Sequence, residues 1–230
     1  MGVKVNTKDF LYLIWQDPLT RRNYVVGKLS KDNGYSFEYC GEYVQALQAG
    51  WNYIKSFPEP KVYHSDTLFP AFSSRLPDKK RKDILKVLQK YKLHEYDGFE
   101  LLKQSRGRLP IDSYEFVEPI NTEEKNINKD FYVAGVRHVA DCAGVECSNF
   151  PKLEKGMQLH LSLEPDNQYD KNAVSVRISP QRLIGYVPRY YSEDVASVLK
   201  AGGTYTCTVL EKSKGKDCHD CVKVNLSMSK

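Results

Sequence analysis

Apolar residues gather into three short strand-like runs near the start of the chain, DFLYLIW, NYVVGKL and YSFEYC. Turn chemistry separates them, Asp17-Pro18 first and Asp32-Asn33-Gly34 second, so the pattern predicts strands joined by tight turns. A looser helical stretch follows from Glu42 to Trp51. In the next segment, TLFPAFSSRLPDKKRKDILKVLQKYKL, Asp78 is placed to cap a helix whose apolar stripe is Ile84, Leu85, Val87, Leu88 and Tyr91. DGFELLKQSRGRLPIDSYEF closes the element, and short strands followed by helices read as a small α+β domain over residues 1–120.

The periodicity stops at EPINTEEKNINKD, Glu118 to Asp130, which is polar and has no apolar rhythm. Residues 121–129 are therefore predicted as a linker and 130–230 as a second domain. Phe131 to Val139, FYVAGVRHV, is read as a strand. After an Asn- and Asp-rich loop, Val174, Val176 and Ile178 fall on one face of another strand. RLIGYVPR and a short helix opened by Ser192 follow.

Charge narrows the partner. Up to Ile120 there are 19 basic and 15 acidic residues, and afterwards 15 and 14, so the halves carry +4 and +1 of the net +5. Proteins that grip duplex nucleic acid without regard to sequence carry a larger basic excess, and a mild charge suits a short, end-directed site better than a long groove. No apolar run approaches the roughly 20 residues of a bilayer span, and MGVKVNTKDF has no secretory apolar region, so the expectation is cytoplasmic.

The densest chemistry lies in EPDNQYDKNAVSV, Glu164 to Val176. Pro165, Asp166 and Asn167 supply turn chemistry, and Asn172 can fix the bend by bonding nearby amides. Tyr169, Asp170 and Lys171 then stand at the mouth of a sheet, where an aromatic plate, a carboxylate and an ammonium can stack a planar group, accept a hydroxyl and meet an anion. The alternative is an Asx-rich turn with a buried tyrosine.

Taken with GVRHV before it and IGYVPR after it, NQYDKNAVSV resembles the HIRAN domain over about residues 129–228. The resemblance implies a small β-barrel that binds single-stranded DNA at its free 3′ end. Arg137 would contact phosphate, Tyr169 the terminal nucleotide and Asp170 the 3′ hydroxyl, with Lys171, Tyr186 and Arg189 lining the same rim. His138 and Val139 stand where fork-remodelling members of the family have two aromatics. Tyr186 follows Gly185 where those members have a histidine, so it can replace stacking but not an imidazolium.

The first half is similar to the N-terminal subdomain of HipA-type serine/threonine kinases, through Gly27-Lys28-Leu29-Ser30, Leu68 to Pro77 and Tyr96-Asp97-Gly98-Phe99-Glu100-Leu101-Leu102. That resemblance implies docking on a separately encoded HipA-type kinase that lacks this subdomain. Leu68, Phe69, Phe72, Lys79 and Lys80 would be the partner-binding residues. No Gly-rich nucleotide loop, V-A-I-K, H-R-D or D-F-G is present, so phosphoryl transfer has no machinery in this sequence. Lys79-Lys80-Arg81-Lys82 reads either as a solvated helix face or as a contact for phosphate or acidic groups.

Six cysteines complete the inventory. Cys142 and Cys147 form a C-x4-C pair, and Cys218 and Cys221 a C-x2-C pair. Together they are a candidate four-thiolate site for one structural zinc, the alternative being unpaired thiols with Cys40 and Cys207 in the cores. The reading that joins these features is a non-enzymatic, antitoxin-like regulatory protein that docks on a kinase and binds single-stranded DNA or 3′ ends. A metal-dependent nuclease and an interaction module without nucleic acid are the alternatives.

Overall fold

A computed structural model describes residues 9–139, 150–213 and 220–230. The chain gathers into two compact units, Met1–Pro119 and Ile120–Lys230.

In the first unit, β1 (Asp9–Gln16), β2 (Asn23–Lys31) and β3 (Tyr35–Tyr39) are the strands expected from the three apolar runs. They pair antiparallel, with β4 (Tyr63–Ser65) beyond β3 and β5 (Tyr114–Val117) beyond β1. A register shift between Leu13 and Ile14 interrupts the alternation of β1, and both residues are buried. Asp17 makes the first turn: its carboxylate accepts the Leu19 amide at 2.9 Å and the Thr20 hydroxyl at 2.5 Å.

The helices are short: α1 (Tyr43–Gln48), α2 (Pro70–Ser73), α3 (Ile84–Lys90) and α4 (Gly98–Ser105). Asp97 caps α4 by accepting the amides of Phe99 and Glu100 at 2.8 and 3.1 Å. Asp78, by contrast, does not cap α3. Its carboxylate closes a turn on the Lys80 amide at 2.7 Å, and the helix starts only at Ile84. Two turns of helix bury only Leu88 of the expected stripe, and Leu85 is 68% exposed.

Aromatic rings fill the core of this unit. Phe37 lies 4.5 Å from Phe57 and 5.1 Å from Phe72, whose far side meets Phe116 at 5.0 Å. Phe69 is buried in the same cluster. Arg75 fastens the chain beyond α2 to the approach of β5: it donates to Gly107 O at 2.7 Å and to both oxygens of Asp112 at 2.6 and 2.7 Å.

The second unit is built on a sheet of six strands. They are β6 (Asn126–Tyr132), β7 (Gln158–Leu163), β8 (Val174–Ser179), β9 (Arg182–Tyr186), β10 (Thr204–Lys212) and β11 (Val222–Ser229). Their order is β6-β11-β10-β7-β8-β9. Residues 126–129, expected as linker, are strand. Asn126 to Lys129 pair with Ser229 to Leu226, and Ile127 is buried, so one apolar side chain and a free sheet edge suffice where no periodicity showed.

The expected barrel is not closed. Beyond Tyr132 the chain makes a single bridge to β9, with the backbones of Ala134 and Tyr186 exchanging two hydrogen bonds of 2.8 Å. Gly135 then takes a φ of 71°, and Val136–Val139 form a one-turn helix, α5, in place of the predicted strand continuation. The last helix, α6 (Arg189–Lys200), follows Pro188 and runs 12 residues. Ser192 therefore lies inside its first turn instead of opening it. Among the described residues no helix is long and apolar enough to cross a membrane.

Candidate functional site

Four pieces of the second unit meet at one end of its sheet: the β7–β8 loop, the end of β9, the first turn of α6, and α5. Their junctions are specific. Asn167 sets the loop, its side-chain carbonyl accepting the amides of Tyr169 at 3.0 Å and Asp170 at 3.2 Å. Asp170 fixes the next bend by accepting the Asn172 amide at 2.9 Å. Asn172, expected to fix the bend, instead accepts the Lys200 ammonium at 3.2 Å from the end of α6.

Helix α6 ties this loop down. The Ser192 hydroxyl donates to Asp170 Oδ2 at 2.6 Å, and the Arg189 guanidinium donates to the Tyr169 carbonyl at 2.7 Å. Beneath the loop, Arg177 donates to Glu164 Oε1 at 2.9 Å and to the Ser175 hydroxyl at 3.0 Å. Tyr186 also bonds the Glu164 carboxylate. The Ala134 bridge then links Tyr186 to the turn that leads into α5.

The result is an immobilised backbone that holds one aromatic ring in solvent. Tyr169 is 85% exposed, while its carbonyl and amide are both bonded. The alternative of a buried tyrosine is thus excluded. Asp170 is half-buried; each of its oxygens takes one described donor, and a carboxylate oxygen has two lone pairs. Arg137, His138 and Lys171 are exposed, and Tyr186 and Arg189 are half-buried. Arg137 and His138 stand on α5, whose turn is tied to Tyr186, and not on a strand.

Glu164 is held as an anion. Burial acts against its charge, but the bonds from Arg177, Ser175, Asn167 and Tyr186 prevail and keep its carboxyl below the usual glutamate range. Tyr186 moves the other way, raised by burial and then by the negative Glu164 beside it. A depressed folded-state value means that Glu164 stabilises the unit above the ordinary value of 4.5, and that this is lost as pH falls through the folded value. Glu164→Gln is expected to lower the melting temperature at pH 7 and to lessen its fall between about pH 5 and pH 3. Melting followed across that range checks this; an unchanged acid limb contradicts it.

Two other expectations meet the structure here. Phe69 and Phe72, assigned to a partner, are 8% and 2% exposed. The first unit does bury this segment, because Phe37, Phe57 and Phe116 enclose it. Leu68 is packed against the same cluster, and only Lys79 and Lys80 are exposed. Of the proposed zinc ligands, Cys142, Cys147 and Cys218 lie outside the described residues. Cys221 is buried at the head of β11. Among the described residues no three His, Cys, Asp or Glu side chains are grouped as metal ligands would be.

Sequence pattern did not reveal the Glu164–Arg177–Tyr186 network or Ser192 as the partner of Asp170. Asn167, two residues before Tyr169, was the one legible sign of how the loop is held.

The HIRAN domain family model matches residues 128–228. Among solved structures, the HIRAN domain of human HLTF is 16% identical with a TM-score of 0.35, over 44% of this chain and 74% of that one. A protein from Lactobacillus plantarum is 25% identical with a TM-score of 0.36, over 46% of this chain and 99% of that one. No curated protein matches the chain.

Proposed function

We propose that the second unit binds single-stranded DNA at a free 3′ end and that the protein acts by binding, with no reaction of its own. The observation that carries this is Tyr169, an exposed ring on a loop whose backbone is bonded at both sides, next to a carboxylate with lone pairs to spare. Exposure alone would leave a mobile tyrosine; the Asn167, Arg189 and Ser192 bonds make it a preformed stacking plate. The HIRAN match over the same residues supports a DNA ligand. Asp170 accepts the terminal hydroxyl, Arg137 and Lys171 attract the phosphates, and Tyr186 and Arg189 shape the rim.

A metal-dependent nuclease is less well supported. Catalytic metals need several carboxylates with open coordination, and of Glu164 and Asp170 the first is taken up by Arg177 and Asn167, which leaves Asp170 alone with lone pairs to spare. Docking on a kinase through Phe69 and Phe72 is not part of the reading, since both rings belong to the core of the first unit.

Stacking of one base on an aromatic contributes about 1–3 kcal/mol, so Tyr169→Ala should weaken binding of a 3′-ended oligonucleotide by roughly 5-fold to more than 100-fold. Because the ring is in solvent, the melting temperature should not move. Fluorescence anisotropy with a labelled oligonucleotide, beside thermal unfolding, checks this; unchanged affinity sinks the proposal.

A further inference from the structure

The positive balance of this chain lies in one short segment. Residues 79–92 hold seven basic side chains and one acidic, a net of +6 against +5 for the whole chain, so everything else sums to −1. The segment is the turn that Asp78 closes, together with α3 and the two residues after it. Lys79, Lys80, Lys82, Lys86, Lys90 and Lys92 are exposed there.

Elsewhere in the first unit seven cations are matched by carboxylates, and the described lysines that are not, Lys28 and Lys55, stand apart in sequence. Arg22 pairs with Glu42, Lys31 with Asp97, Lys61 with Glu59, Arg75 with Asp112, Lys103 with Glu118, and Arg106 and Arg108 with Glu115. Within the segment only Arg81 has a carboxylate, that of Asp83. Among the described residues Lys79, Lys80, Lys82, Lys86, Lys90 and Lys92 have none within 4.0 Å, Lys90 lying instead over the Tyr91 ring.

We infer that this face of the first unit is a second nucleic-acid contact, one that takes the phosphate backbone of duplex DNA without reading sequence. Six ammonium groups without a carboxylate, on a turn, a two-turn helix and the residues after it, form a surface that a polyanion neutralises with release of its counterions. Lys86 and Lys90 are four residues apart and share a helix face. An anionic membrane would also supply charge, but peripheral insertion needs an apolar face, and Leu85 is the single large apolar side chain exposed on α3. The choice of DNA among polyanions rests on the DNA reading of the second unit; the surface itself is a separate feature of the first.

The test uses the full chain and a covalently closed dumbbell duplex, which has no 3′ end. The native protein should bind it with an affinity that falls steeply with salt. A variant carrying Lys79→Gln, Lys80→Gln, Lys82→Gln and Lys86→Gln should bind at least about tenfold more weakly near 0.1 M salt, with a log–log salt slope shallower by about 3–4. Glutamine matches lysine in helix propensity and these sites are exposed, so an unchanged melting curve shows that the fold is kept. Binding of a short 3′-ended oligonucleotide should be the same for both proteins. Failure of the end-binding proposal would appear in that arm alone. No dumbbell binding by the native protein, an equal slope for the variant, or lysine-dependent binding to phosphatidylserine vesicles without dumbbell binding would each overturn the inference.

Discussion

Phe72→Asp is expected to unfold the first unit outright. Phe72 is 2% exposed, with Phe37, Phe57 and Phe116 at ring distances of 5.1, 5.2 and 5.0 Å. Losing that ring alone costs about 3–5 kcal/mol. Aspartate adds the desolvation of a carboxyl group in a hydrophobic cluster, a further few kcal/mol even if it takes up a proton. The sum reaches the whole stability of an ordinary domain, about 5–15 kcal/mol. Hydrogen exchange should show full loss of protection in β1, β2 and β3, while Phe72→Leu, which keeps the site apolar, retains most of it. Native protection in the aspartate variant would mean that the ring faces a partner and not the core.

Gly185→Ala should be the most damaging conservative change in the second unit. Gly185 adopts a φ of 152°, a conformation that side chains other than hydrogen rarely accept. A methyl group there would press on the Ala134 carbonyl oxygen and lie 2.6 Å from Val133 Cγ1. Backbone strain of about 1–3 kcal/mol is then added to the loss of the paired 2.8 Å bonds between Ala134 and Tyr186. The melting temperature should fall by about 10 °C or more. The bridge also carries α5, so Arg137 should lose its place in the site, and DNA affinity should fall even at temperatures where the unit remains folded. A variant with native melting and native affinity would show that the bridge is dispensable.

Local pattern and long-range pairing were not equally legible in the sequence. β1, β2 and β3 could be read because short apolar runs are separated by Asp, Asn and Gly turns; the bonds that Asp17 accepts from Leu19 and Thr20 are such local chemistry. The loop around Tyr169 could be read as a presenting loop for the same reason, since Asn167 acts within three residues. The segment from Phe131 to Val139 misled, because its apolar residues carry no sign that Gly135 will turn at positive φ and release the chain into α5. Ser192 and Asp170 are 22 residues apart, and Arg189 and Tyr169 are 20 apart, so only the packing of α6 beside the loop brings them together. Leu68, Phe69 and Phe72 read as partner-binding because nothing local shows that Phe37, Phe57 and Phe116 converge on them from other elements.

The central claim is that Asp170 and Tyr169 together recognise the end of a strand and not merely its charge. It is tested most directly by the affinities of one oligonucleotide carrying either a 3′ hydroxyl or a 3′ phosphate. A carboxylate that accepts a hydroxyl repels a phosphate at the same position, so the native protein should prefer the hydroxyl end by about tenfold or more. Asp170→Ala should shrink that preference, even though it also removes the Ser192 bond that steadies the loop. Equal affinity of the native protein for the two ends would contradict the account and leave only nonspecific contact with the backbone.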